Sequence, residues 1–147
     1  MGIAKALREV NPHLHVAAVE PAESPVMSGG EAGPHSIGGI GDGFVPELVK
    51  ESGALSPVIG EVIQVTSDDA IEGSKALARD FGFCVGVSSG ANFVAAKRLG
   101  VRFKNVVTVF PDGFTRYESL GLGPSGRCPF HGKACQKHNE IVASLRS

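Results

Sequence analysis

The residues of this chain whose types and spacing suit chemistry fall into three groups. Ser88-Ser89-Gly90-Ala91 follows an apolar run and opens an alanine-rich segment, which places two hydroxyls at a strand-to-helix turn. A serine there commonly caps an orphan backbone N–H, contributing about 1 kcal/mol, and taken alone the pair favours that reading. Gly38, Gly39, Gly41 and Gly43 are turn-formers by type, because glycine takes positive φ without steric cost. Cys128, His131, Cys135 and His138 are spaced C-x2-H-x3-C-x2-H, and two thiolates with two imidazoles have the ligand count of a tetrahedral zinc site. Four ligands in so short a stretch leave little scaffold to fix a tetrahedron, so a tail with incidental Cys and His stays the preferred reading.

The elements that must position these groups alternate along the chain. Ile3, Ala6, Leu7 and Val10 recur at helical spacing and stop at Asn11-Pro12, where proline cannot continue a helix. His15 to Glu20 is a short apolar run ended by Pro21, expected to be a strand buried on both faces. Residues 22–46 are crowded with Gly, Pro and Ser and follow neither period, which predicts a long loop of the kind that often carries function. Val62 to Thr66 reads as a second strand. Ser67-Asp68-Asp69 then supplies a helix N-cap with acids in the first turn, and the spacing predicts a helix over 68–81 closed by Gly82. Phe83 to Val87 and Val106 to Phe110 are expected to be a third and a fourth strand, with a helix from Ala91 to Leu99 between them. Cys84, inside the third run, is expected to be core.

Strands alternating with helices imply an α/β fold with a parallel sheet, in which ligands gather beyond the carboxyl ends of the strands. Glu20, Ser88 and Pro111-Asp112 occupy such ends. A chain of 147 residues with 42% hydrophobic and 20% charged residues suits one folded domain, here residues 1–121, followed by a Cys/His-containing tail, 122–147. The formal net charge of −1 comes with scattered Lys and Arg, so nucleic acid is not an expected partner. No apolar run approaches the roughly 20 residues a membrane helix needs. Three cysteines are too few for a disulfide framework, and a cytoplasmic location is expected.

PAESPVMSGG, GPHSIGGIGDGFVP, VTSDDAI, VGVSSGA and VFPDGFTRY occur in an order and approximate spacing that resembles the cysteine synthase family of pyridoxal-phosphate enzymes, whose near relatives include cystathionine β-synthase and threonine dehydratase. The resemblance runs from about Met1 to Tyr117. It implies part of the large domain of a tryptophan synthase β-like fold, a three-layer parallel sheet with helices on both faces. Ser88 then corresponds to the serine that hydrogen-bonds the pyridine nitrogen of pyridoxal 5'-phosphate, a neutral partner that suits β-replacement over transamination. Gly39, Ile40 and Gly41 correspond to the loop beside the cofactor and substrate, and Pro111 and Asp112 to a motif near the ring, Asp112 one layer back. Phe114 and Thr115 depart from the family pattern, which has a glycine and an acid there, so the wall near the cofactor is expected to be reshaped.

Two parts of the family's site are not recognised in this sequence: the Schiff-base lysine and the Gly/Thr-rich phosphate loop, which the resemblance places before the first helix. Lys5, Lys50, Lys75 and Lys97 fall on positions that read as solvated, whereas a lysine nucleophile must be held partly desolvated. The expected function is therefore the C-terminal portion of an enzyme that makes cysteine from an activated serine, inactive alone, with a complementary N-terminal half or a second copy as partner. A non-catalytic binding or regulatory module, or part of a threonine dehydratase-like lyase, is the alternative. The small amino-acid substrate, its leaving group and the sulfur donor stay open.

Overall fold

In a computed structural model the described residues are 1–120 and Leu122, so the cluster from Cys128 to His138 lies outside the described residues. Helix α1, Gly2–Val10, ends as its sequence requires: the Asn11 N–H closes the last turn on the Leu7 carbonyl at 2.9 Å, and Pro12 follows. Its apolar stripe is not buried by the described residues, Ile3 being 70% and Val10 83% exposed. Strand β1, Ala17–Pro21, leads into the long segment 22–46, which contains neither helix nor strand. A short hairpin follows, β2, Lys50–Glu51, and β3, Ala54–Leu55, turned by Ser52 and Gly53 at φ +54° and +82°. Those two left-handed residues give the turn whose twist matches a hairpin.

Strand β4, Glu61–Val65, pairs in parallel with β1, from Ala17 opposite Glu61 to Pro21 opposite Val65. Helix α2, Ser67–Phe81, begins one residue earlier than its spacing predicts because Thr66, not Ser67, is the cap: its hydroxyl accepts the Asp69 N–H at 3.1 Å. Ser67 is used elsewhere, its hydroxyl accepting the Ser36 N–H. At the other end Gly82, at φ +76°, and Phe83 return their N–H groups to Ala78 and Leu77, the left-handed ending expected of glycine. Helix α3, Val87–Gly100, starts four residues earlier than expected and takes Ser88 and Ser89 into its first turn.

The expected third strand does not form, and α3 takes only its last residue, Val87. Of residues 83–87 only Val85 makes a β contact, an isolated antiparallel bridge to Gly113, and Cys84 is half-buried rather than core. Residues 106–110 also form no strand, although their composition is strand-like, because no ladder partner lies beside them among the described residues; Val107 is 90% exposed. A run of β-branched residues becomes a strand only when a neighbour takes its hydrogen bonds. The result is a partial α/β domain, with parallel β1 and β4 backed by α3, and α2 packed on α3.

The buried centre comprises Ile37, Ile63, Val65, Ala70, Val87, Ala91, Ala95 and Leu122. Two glycines let α2 and α3 approach: a Cβ on Gly90 would stand 1.9 Å from the Ala70 carbonyl oxygen, and one on Gly73 would stand 2.7 Å from that of Gly90. Gly90→Ala is accordingly expected to cost about 3 kcal/mol, or to prevent folding, since helix backbones on both sides must separate. An unchanged thermal midpoint would show that the helices do not cross there.

Two carboxylates tie loops to this core. Glu61 sits between the His15 ring and the Arg102 guanidinium, and the hydrogen bond from His15 is the main cause holding its carboxyl below the ordinary 4.5. Burial would raise Glu23, but the Ser67 N–H at 2.7 Å, with the Ser67 hydroxyl and His35, brings it below 4.5 as well. A carboxylate depressed in the folded state contributes stability above its unfolded value and loses it as pH falls through the folded one. The urea midpoint is therefore expected to fall as pH drops below 4.5, and to fall less in Glu61→Gln. Identical acid profiles for the two proteins would contradict this.

Candidate functional site

Ser88 is positioned by the glycine two residues before it. Gly86 is the N-cap of α3, its N–H donates to the Asp112 carbonyl at 3.0 Å, and its own carbonyl accepts the buried Ser74 hydroxyl at 2.8 Å. A Cβ there would lie 2.1 Å from Asp112 Oδ1 and 2.5 Å from the Tyr117 ring, so only glycine fits. No side chain caps α3, which removes the ordinary explanation for a serine at this place. Ser88 is 6% exposed, and its hydroxyl has no hydrogen bond among the described residues. The Ser89 hydroxyl is also buried without a partner among them. Buried hydroxyls are normally satisfied, so an unspent one calls for an explanation.

Ser88 faces a groove of about 670 Å³. One wall is α3, through Ser88, Asn92 and Ala95; the others come from Ile3 and Leu7 of α1, Ala17 and Val19 of β1, and residues 105–109 with Pro111. The Asn92 amide donates to the Val109 carbonyl at 2.9 Å and holds that last segment in place. Ile40 enters the same groove from the glycine loop. The lining is mostly apolar with few polar groups, the usual make-up of a small-molecule site.

The glycine loop is held from outside the groove. A carbonyl only accepts, so the His35 ring, 3.0 Å from the Gly41 oxygen, donates through Nε2 and carries its proton there. Its Nδ1 is left to accept the Ile37 N–H at 3.3 Å. Ser24 donates a second, longer bond to Gly41 at 3.4 Å. Fully buried Ile37 anchors the loop, and Gly39 and Gly41 adopt φ of +89° and +71° on either side of Ile40.

Of the sequence-identified residues, Ser88, Ile40 and Pro111 line one groove, Gly39 and Gly41 shape the loop that delivers Ile40, and Asp112 stands behind Gly86 away from the lining. Asp112 accepts the Tyr117 hydroxyl through Oδ2 at 2.7 Å, while its buried Oδ1 has no partner among the described residues. Glu20 is spent on structure: it is buried and accepts the Met27 N–H at 2.8 Å and the Ser28 hydroxyl at 2.5 Å. Phe114 packs against the core rather than into the groove.

No lysine lines the groove among the described residues. Lys50 and Lys75 pair with Glu47 and Glu72, Lys97 lies 5.6 Å over the Phe93 ring, and Lys5 and Lys104 are exposed. The roles of His35, Ser74, Gly86 and Tyr117 were missed in the sequence. Only Gly86, immediately before the apolar start of α3, carried a local signal of close approach.

The sequence profile of the pyridoxal-phosphate dependent enzymes matches residues 1–112. The chain belongs to that family. Similar curated relatives are a cysteine synthase of Staphylococcus aureus, 40% identical over 82% of this chain and 38% of its own length, and cysteine synthase B of Campylobacter jejuni, 42% identical over 82% and 39%. An O-acetylserine sulfhydrylase from Entamoeba histolytica superposes with a TM-score of 0.75 at 31% identity, over 95% of this chain and 41% of that one. The chain thus spans about two-fifths of the length of the relatives it matches. No described helix is long and apolar enough to cross a membrane.

Gly41→Ala tests the loop geometry. Its φ is left-handed and its Cβ would stand 2.6 Å from Pro21 Cγ, so the change is expected to cost about 2 kcal/mol in urea unfolding. A neutral substitution would mean that the loop is not fixed in this form.

Proposed function

We infer that this chain forms one wall of a pyridoxal-phosphate site in a cysteine synthase-like enzyme, and that it is not a catalyst by itself. The observation that carries the reading is Ser88, only 6% exposed, whose place is in the lining of an apolar groove that the described residues leave without a lysine. Bound there, pyridoxal 5'-phosphate would supply an electron sink for replacing the β-substituent of an amino acid. The residues present fit it. Ser88 offers the pyridine nitrogen a neutral partner, Gly39, Ile40 and Gly41 bring backbone and one apolar side chain alongside, and Pro111 closes the groove with Asp112 behind it.

What this chain does toward the reaction is to orient the ring and exclude water from it. A neutral hydroxyl accepts or donates without a fixed charge, so it favours neither protonation of the ring nor the deeper electron withdrawal that transamination needs. The apolar walls raise the strength of every polar contact inside by keeping solvent out. Moving the α-proton needs a base held at the substrate, a role for a lysine on polypeptide outside the described residues, none of whose lysines lines the groove.

The same polypeptide has a place to dock. Parallel pairing engages alternate residues, and Val16 and Ala22 turn their backbone groups to the β4 side, so Ala17 and Val19 direct theirs away from β4. Unpaired strand edges and the apolar face of α1 invite a further strand and its helices.

Joining the chain to a polypeptide that carries the lysine and phosphate loop of a related cysteine synthase is expected to give visible cofactor absorbance and cysteine formation, absent from either part alone. In that assembly Ser88→Ala is expected to lower turnover about tenfold, the scale of one hydrogen bond to the ring. Wild-type turnover in Ser88→Ala, or turnover by the chain alone, would overturn the reading.

A further inference from the structure

The geometry points to Tyr117 as a positioning residue that braces the glycine loop against the start of α3, and so fixes the spacing between Ile40 and Ser88. Tyr117 lies beyond the segment matched by the family profile and lines no part of the groove. It is nonetheless wedged between both walls. On one side its ring abuts Gly38, where an added Cβ would sit 3.6 Å from Cε1; on the other it abuts Gly86, where one would sit 2.5 Å from Cε2. Its hydroxyl donates to Asp112 Oδ2 at 2.7 Å, and the Asp112 carbonyl in turn accepts the Gly86 N–H at 3.0 Å. Gly38 begins the turn that delivers Ile40, and Gly86 caps the helix that carries Ser88. The ring sets the distance and the hydroxyl fixes its orientation, because Asp112 is held independently by the Val85–Gly113 bridge beside it.

This proposal depends on the cofactor reading only for its use; the brace itself is tested on the full chain without cofactor. The sequence contains one tyrosine and no tryptophan, so ultraviolet titration reports this phenol alone. Burial first, and then the bond to Asp112 and its charge, push the phenol above its ordinary 10.0. Asp112→Leu is expected to move the titration down toward 10.0, and Asp112→Asn, which keeps an acceptor, to move it less. A wild-type titration at 10.0 that Asp112→Leu leaves unchanged would overturn the brace.

Amide hydrogen exchange supplies the readout that a merely local role would not move. Tyr117→Phe keeps the ring and loses the bond. It is expected to speed exchange about tenfold at both residues 37–41 and 86–89, with α2 unchanged and with Asp112→Asn close to wild type. Acceleration confined to residues 112–117, or spread evenly through α2, would also overturn it. Failure of the cofactor to bind would sink the cofactor reading and leave these two results as they stand.

Discussion

Helix α3 starts against a surface that has no room for a side chain. Asp112 and Tyr117 press on Gly86 from one side while Ser74 holds its carbonyl from the other, and four residues later Gly90 lies on the backbone of α2. A methyl group at either place would push the helix outward by an ångström or more. Because these contacts pin the first turn, Ser88 emerges into the groove at a fixed height, and the capping role that a serine commonly takes is left to a glycine. Core and site are therefore one construction: the close packing of α2 on α3 sets where Ser88 meets the groove.

The parts of the fold that were legible in the sequence are those decided locally. Thr66-Ser67-Asp68-Asp69 and Gly82 bracket α2 because capping is a matter of adjacent residues, although which hydroxyl does the capping depended on Ser67 being drawn to the distant Ser36. The loop 22–46 was legible from its glycines and prolines. Residues 83–87 and 106–110 misled for a physical reason, since strand composition states a preference that only a neighbouring strand can satisfy. The first segment makes a single bridge, Val85 to Gly113, and gives only Val87 to the helix, and the second has no ladder partner among the described residues. In the site, Ser88 and the glycine loop were legible through combined motifs. Tyr117, His35 and Ser74 were not, because their contacts join residues that are not neighbours in any local pattern.

Membership of the pyridoxal-phosphate dependent enzymes gives these features a common sense. On the reading proposed above, a flat ring needs backbone that approaches closely and one well-placed partner for its nitrogen, and the glycine loop and Ser88 would supply them. The groove is open toward α1 and residues 105–109, where apolar side chains meet solvent. On the reading proposed above, an open, apolar groove that the described residues leave without a lysine suits a site to which further residues contribute.

Borohydride trapping tests that central claim most directly: the purified chain is incubated with pyridoxal phosphate and reduced, and the modified residue is read by mass. Slow labelling scattered over several lysines is the predicted result, since the described lysines are ion-paired, stacked or exposed rather than held in the groove. One lysine labelled to completion, together with stable visible absorbance, would contradict the account and make this chain a complete cofactor site.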